Sequence, residues 1–202
     1  IQTGVHKKVL VVGTDVMSSI LDFEDRKTCV LFGDGAGAVL LEPAQNNEEG
    51  IIDSLLHSDG SGGKFLYMPS GGSLHPTSHK TVDEKMHYVH QDGRNVFKFA
   101  VKLMTQVSHD ILKKNGYTSE DISLFIPHQA NLRIIQSAVK RLNLRPEQVA
   151  INIDRYANTT AATIPMALHE AYKQDRIKKG DLLLLASFGA GFTWGSVLLR
   201  WT

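Results

Sequence analysis

Two short stretches hold the side chains best suited to chemistry: Ile126-Pro127-His128-Gln129-Ala130-Asn131 and Tyr156-Ala157-Asn158-Thr159-Thr160-Ala161-Ala162. An imidazole and a carboxamide brought to one place can donate two hydrogen bonds to one developing oxyanion. The surrounding sequence favours such a meeting. Each stretch follows a short apolar run of strand character, Leu124 to Ile126 and Val149 to Ile153. Each precedes a helix-like segment, Leu132 to Leu142 and Ala161 to Lys173. His128 and Asn158 therefore fall where a strand gives way to a helix, and α/β sheets bind ligands beyond the carboxyl ends of their strands.

Other chemistries are less well supported. His75, His79, His87 and His90 lie close together in sequence. However, Pro76 argues against a helix that would align the first two, and a strand would point the last two to opposite faces. With no compact carboxylate or cysteine pattern beside them, no metal site is expected. Gly33-Asp34-Gly35-Ala36-Gly37 resembles a phosphate loop only superficially, because such a loop must open a helix. Here Ala38 to Leu41 reads as a strand, so the glycines mark a tight backbone crossing. Cys29 sits in an apolar run and reads as a buried filler rather than a nucleophile, since a strand interior does not lower a thiol's pKa.

The elements that must position these groups follow from periodicity and punctuation. Lys8 to Val12, Thr28 to Phe32, Ala38 to Leu41 and Ile51 to His57 read as strands, with a shorter one at Lys64 to Met68. Pro43 to Gly50 and Pro69 to Lys80 read as loops. Asp92 caps a long helix, Gly93 to Asn115, closed by Gly116. Its apolar stripe is Val96, Phe97, Ala100, Val101, Met104, Val107, Ile111 and Leu112, with Lys98 and Lys102 on the other side. In the Leu132 to Leu142 helix, Leu132, Ile135, Val139 and Leu142 face inward and Arg133, Lys140 and Arg141 outward. Pro165 falls in the first turn or so of the helix from Ala161, where it is tolerated. Asp181 to Ser187 is a buried strand, followed by Gly189-Ala190-Gly191 and a last strand, Thr193 to Trp201.

Composition sets the frame. The 202 residues carry a formal charge of +1, which makes no bulk electrostatic case for nucleic acid or membrane. No apolar run approaches the ~20 residues of a membrane span. One cysteine precludes an internal disulfide and fits a reducing, cytoplasmic setting. The run Val30 to Leu41 is echoed by Ala186 to Leu199: both read as a strand, Phe-Gly-x-Gly, and a strand ending in Val-Leu-Leu. This internal repeat divides the chain into 1–91, the remainder of a first α/β half with connecting loops, and 92–202, a second half. The second copy has several elements ahead of its closing pair and the first has one strand. The first half therefore reads as truncated at its N-terminal side, leaving apolar strands such as Lys8 to Val12 incompletely covered.

These residues resemble the β-ketoacyl-acyl-carrier-protein synthase III family, the initiating condensing enzymes of type II fatty-acid synthesis. The resemblance is carried by Pro127 to Arg133, Asn158 to Ala162, Phe188 to Gly195 and Phe32 to Ala38. It implies a thiolase-like fold, two like α/β halves in a five-layer arrangement, and a homodimer. It also implies a Cys-His-Asn triad acting on an acyl-CoA and a malonyl-acyl-carrier protein as substrates, with no cofactor. His128 and Asn158 match the triad's His and Asn. The matching Asn158 loop argues against His128 being merely a satisfied strand-end histidine. The backbone N–H of Ala190 matches a second oxyanion donor, in a loop that in many relatives resembles three glycines. Arg26 resembles a residue that packs on the CoA adenine; Gly93, Asn131 and Phe188 resemble positions along the substrate channel. Lys98, Arg133, Lys140 and Arg141 resemble the basic patch that meets the acidic carrier protein. The family's nucleophile precedes the strand matching Lys8 to Val12, so it is expected outside this chain, on a separate or missing segment. Two alternatives remain open: a non-catalytic thiolase-fold module that binds CoA or a partner, and a sister enzyme of hydroxymethylglutaryl-CoA synthase or polyketide-starter type.

Overall fold

The computed structural model describes residues 1–44 and 50–202, so residues 45–49 of the expected Pro43 to Gly50 loop lie outside the described residues. Strands β1 (Val9–Asp15) and β2 (Gly35–Leu41) pair antiparallel, from Val9↔Leu41 to Asp15↔Gly35. Strand β3 (Gly50–Ser58) leaves them to join a different sheet. Short strands β4 (Leu66–Tyr67) and β5 (His90–Gln91) pair with each other, with a short helix α1 (His79–Asp83) between them. Helix α2 (Gly93–Lys114) then leads through β6 (Leu124–Pro127), α3 (Leu132–Leu142), a single helical turn α4 (Ile153–Tyr156) and α5 (Thr163–Lys173). The chain closes on the hairpin of β7 (Leu182–Gly189) and β8 (Thr193–Arg200).

The second sheet has the order β3-β8-β7-β6, with β6 and β7 parallel and the other pairs antiparallel. Strand β3, on the N-terminal side of the 91/92 division, is thus its edge strand. The four leucines opening β7 show why it is central. Leu182 and Leu184 join a core with α2 and α3, while Leu183 and Leu185 face Ala167, Leu168 and Ala171 of α5. A strand covered on both faces is apolar at every position instead of alternating. The layers run from α2 and α3, through the sheet and α5, to β1–β2, which packs on the far side of α5. Leu10, Val12 and Leu40 on the outer face of β1–β2 are 62%, 56% and 56% exposed, in keeping with the expected incomplete cover of the first strand.

Helix α2 is punctuated as its sequence predicts. The Asp92 carboxylate accepts from Asn95 N at 3.1 Å, a cap that typically contributes about 1 kcal/mol, and Gly116 takes φ +74 beyond the last turn. Its second turn departs from the predicted stripe, because Phe97 is exposed and Phe99 packs inward on Phe65 and Phe192. In α3 the buried residues are Ile134, Ile135, Ala138 and Leu142, whereas Leu132, at the open first position, is exposed.

Two predicted strands are not strands. Thr28 to Leu31 is a succession of turns, because Asp25 collects the local donors, and Phe32 makes a single bridge to Asn158. The Asp25 carbonyl accepts from Thr28 N and Cys29 N, and its carboxylate accepts from Lys27 N and Thr28 Oγ1. The antiparallel partner of β2 is therefore β1, and the repeat matches β1–β2 to β7–β8 with a long insertion in the first copy in place of a tight hairpin. Val149 to Ile153 is reduced to one bridge between Val149 and Phe125, followed by the turn of α4. The predicted Lys64 to Met68 strand shrinks to β4, preceded by a 3-10 segment at Gly60–Phe65.

Candidate active site

His128 follows directly on β6. Its backbone N–H donates to Ala186 O at 2.8 Å, which extends the parallel pairing with β7 by one residue and places the ring at the carboxyl edge of the sheet. The side chain is buried, and Nδ1 lies 2.6 Å from Thr163 Oγ1 at the start of α5. Nε2 has no hydrogen-bond partner among the described residues. Burial pushes the imidazole pKa down to about 4, so the ring is neutral near pH 7.

Asn158 is held from both sides. Its N–H donates to Leu31 O and its carbonyl accepts from Gly33 N, each at 3.0 Å, which fastens the loop to the segment before β2. Its side-chain oxygen accepts from Thr160 N at 2.9 Å. That bond decides which end of the carboxamide faces outward: the oxygen is engaged and the NH2 group is left to donate. Thr160 takes φ +48, an unusual region for a β-branched residue and one that costs about 1–3 kcal/mol. Asp15, at the end of β1, stabilises it, because its carboxylate accepts from Thr160 Oγ1 and from Ala161 N.

Two devices bring the His and Asn loops together. The first is Gln129, which is fully buried. Its Nε2 donates to Pro127 O at 2.8 Å and to Ala150 O at 3.2 Å, and its Oε1 accepts from Asn152 N at 3.1 Å. One side chain thus takes the pairing groups that a strand at Val149 to Ile153 would have used, and it ties the His128 loop to the segment leading to Asn158. The second is the close approach of β1–β2 to the turn after Asn158. A Cβ at Gly13 would stand 2.3 Å from Ala161 O, and one at Gly37 would stand 2.9 Å from Pro165. The glycine-rich run before and within β2 is therefore a tight crossing, as its sequence suggested.

The remaining predicted residues lie on several elements. Phe188 is buried near the end of β7 with its ring 4.8 Å from that of Phe192. Ala190 occupies the exposed tip of the β7–β8 hairpin, and its carbonyl accepts from Thr193 Oγ1. Asn131 is half-buried and caps α3, its side chain accepting from Arg133 N at 2.9 Å. Gly93 is exposed at the first turn of α2, and Arg26 is exposed in the turns before β2. Lys98 on α2 and Arg133, Lys140 and Arg141 on α3 are all exposed, on two helices that pack together. Cys29 is partly exposed within a turn, which corrects its reading as a buried strand residue. An open cavity of about 480 Å³ lies on the β7–β8 face beside Ile164, lined among others by Leu56, His57 and Trp194; neither His128 nor Asn158 lines it.

Among the described residues no three His, Cys, Asp or Glu side chains come together as a metal site, and no helix is long and apolar enough to cross a membrane. Thr163, Thr160, Asp15 and Gln129 were not singled out from the sequence. Asp15 carries no local signal at all, being 145 residues from Thr160.

The chain is similar to known proteins along its whole length. Residues 1–60 match the family model described as 3-oxoacyl-[acyl-carrier-protein (ACP)] synthase III, and residues 112–201 match the model of that family's C-terminal part. The β-ketoacyl-[acyl-carrier-protein] synthase III of Koribacter versatilis (strain Ellin345) is 55% identical over 202 residues, taking in 100% of this chain and 61% of the relative. That of Solibacter usitatus (strain Ellin6076) is 56% identical over 203 residues with the same coverage. A crystal structure of the Thermus thermophilus β-ketoacyl-[acyl carrier protein] synthase III aligns with a TM-score of 0.89 at 45% identity, covering 100% of this chain and 61% of that one. The chain thus spans about 61% of the length of these relatives. The α/β thiolase-like fold expected from the sequence is the fold of this chain.

Proposed function

This chain belongs to the 3-oxoacyl-[acyl-carrier-protein] synthase III family, and from that premise we propose that it supplies the His–Asn part of a decarboxylative condensing site. The reaction joins an acyl-CoA starter to a malonyl-acyl-carrier protein and gives a β-ketoacyl-carrier protein, the first step of fatty-acid synthesis. The acyl group is carried on a cysteine outside these 202 residues. Loss of CO2 from the malonyl group leaves the electron pair of the broken C–C bond as an enolate, with charge on the thioester oxygen. Nε2–H of His128 and the side-chain NH2 of Asn158 donate to that oxygen. The carbanion then attacks the acyl thioester, forming the new C–C bond and expelling the cysteine thiolate. The Ala190 N–H serves the oxyanion of that second step.

The observation that supports this reading is how each side chain is anchored. A buried, neutral imidazole is anchored through Nδ1, and a carboxamide has its oxygen engaged by Thr160 N. In this reading each offers its remaining N–H to the substrate. Fixed donors in a water-poor site stabilise developing charge without reorganising. In this reading Arg26, Gly93, Asn131 and Phe188 contact the CoA or pantetheine arm. Lys98, Arg133, Lys140 and Arg141 steer an acidic carrier protein, the protein works as a cytoplasmic homodimer, and no cofactor takes part.

The test is release of CO2 from malonyl-carrier protein, which the His–Asn pair should promote by itself. His128→Ala and Asn158→Ala are each expected to lose ~10²–10³ in rate, the usual effect of removing one oxyanion donor. Release that is unchanged in both variants would overturn the proposal. Intact mass and a denaturing gel, run first, establish whether a polypeptide bearing the thiol accompanies the chain.

A further inference from the structure

The ring nitrogen that His128 does not offer to substrate meets a hydroxyl whose single proton is contested. Thr163 Oγ1 lies 2.6 Å from His128 Nδ1 and 3.0 Å from Thr160 O. If the hydroxyl donates to the Thr160 carbonyl, its oxygen can only accept from Nδ1–H, and a neutral ring is then left with a bare Nε2. If it donates to Nδ1, the ring proton resides on Nε2. These two states have opposite consequences at the sheet edge: the first presents an acceptor there and the second a donor.

The geometry separates them. The hydroxyl has one proton and two contacts, and the one to His128 Nδ1, at 2.6 Å, is the shorter. The 3.0 Å contact to Thr160 O is at the long end for a hydroxyl donor. Nor does that carbonyl need the hydroxyl, because it already accepts the backbone N–H of Thr163. Burial, which keeps the ring neutral, removes the doubly protonated alternative.

We propose that Thr163 is a positioning residue that donates its hydroxyl proton to His128 Nδ1 and thereby holds the histidine as the Nε2–H tautomer. Its consequence for catalysis rests on the condensing reading above, but the tautomer itself does not. A wrong tautomer is costly, up to ~10⁴ in rate where a histidine serves acyl transfer.

The direct test is long-range 15N–1H NMR of histidine-labelled protein, with His128 assigned by the resonances that disappear in His128→Gln. The expected result is a protonated Nε2 and a bare Nδ1 in the wild type and in Thr163→Ser, which keeps the hydroxyl. In Thr163→Val, which keeps the shape and loses it, the protonated nitrogen shifts toward Nδ1, and the rate of CO2 release falls with the remaining Nε2–H population. A wild-type ring protonated on Nδ1 overturns the proposal, as does a Thr163→Val protein whose His128 stays fully Nε2–H. If Thr163→Val does not fold, the wild-type and Thr163→Ser spectra decide by themselves. If the tautomer is as stated but the wild type releases no CO2 from malonyl-carrier protein, the condensing reading fails and the tautomer assignment stands.

Discussion

Adding a single methyl group at Gly13 should disturb both the stability of the fold and the geometry of the site. Gly13 lies in β1 opposite Gly37, where the strand presses on the turn after Asn158. A Cβ there would stand 2.3 Å from Ala161 O, 2.7 Å from its carbonyl carbon and 3.3 Å from Ala162 N, whereas ordinary contact begins at 3.4 Å. The turn must therefore move by about 1 Å, and its atoms are backbone, which cannot rotate away as a side chain would. The strand cannot retreat freely either, because Asp15, two residues further on, holds Ala161 N at 3.1 Å. Overpacking of this kind costs about 1–3 kcal/mol, and Gly13→Ala is expected near the top of that range. With a urea slope of ~1–3 kcal/mol/M, the unfolding midpoint drops by roughly 1–3 M. The same displacement moves Thr160, whose N–H orients the Asn158 carboxamide, and misplacement by ~1 Å can cost ~10² in rate. Gly60→Ala is the control: its Cβ would meet nothing within 4 Å, so it should stay within ~0.5 kcal/mol of wild type. Urea titrations of the three proteins, with CO2 release from malonyl-carrier protein, make the comparison. A Gly13→Ala protein as stable as Gly60→Ala would refute the close approach of β1 to this turn, and with it the account of how Asn158 is oriented.

Three further outcomes are expected. Because burial holds His128 near pKa 4, the unfolded chain binds a proton that the folded one does not between pH ~6.5 and ~4. Unfolding free energy should therefore fall by up to about 3 kcal/mol as pH drops through that window, and urea midpoints of His128→Gln should show a flatter dependence than wild type. Gln129→Leu removes three buried hydrogen bonds and strands Pro127 O, Ala150 O and Asn152 N. At about 1–3 kcal/mol per orphaned group, thermal melting should show a loss of at least about 3 kcal/mol. Reversing Arg133 and Lys140 to Glu should raise KM for the carrier protein and weaken its dependence on salt, while leaving kcat with saturating carrier nearly unchanged, as expected of exposed charges that steer a partner.

Several features of this molecule were legible from local sequence because the forces that set them are local. Asp92 and Gly116 bracket α2 through hydrogen bonds and backbone conformations that involve only neighbouring residues. The leucine run of β7 announces a strand buried on both faces, and the glycines around β2 announce a close crossing. The His128 and Asn158 motifs and their places beyond Ile126 and before α5 were equally readable. Burial on the other hand cannot be read from apolar character alone: Phe97 and Leu132 are exposed although Val96 and Ala100, and Ile134 and Ile135, beside them on the same helices are buried.

Tertiary structure decided what a linear pattern cannot encode. Thr28 to Phe32 has the composition of a strand, but Asp25 engages the N–H groups of Thr28 and Cys29 locally, and pairing is confined to one bridge between Phe32 and Asn158. Val149 to Ile153 likewise gives up all but one bridge, because the Gln129 amide takes its carbonyl and N–H. The site depends on the same kind of distant contact. Asp15 lies 145 residues from the threonine whose unusual backbone it stabilises, and Thr163 lies 35 residues from the imidazole it meets. The sequence by itself singled out His128 and Asn158 and placed the first beyond the end of β6. Only the folded chain determines how each is turned, because orientation rests on hydrogen bonds between segments that are adjacent in space and remote in sequence.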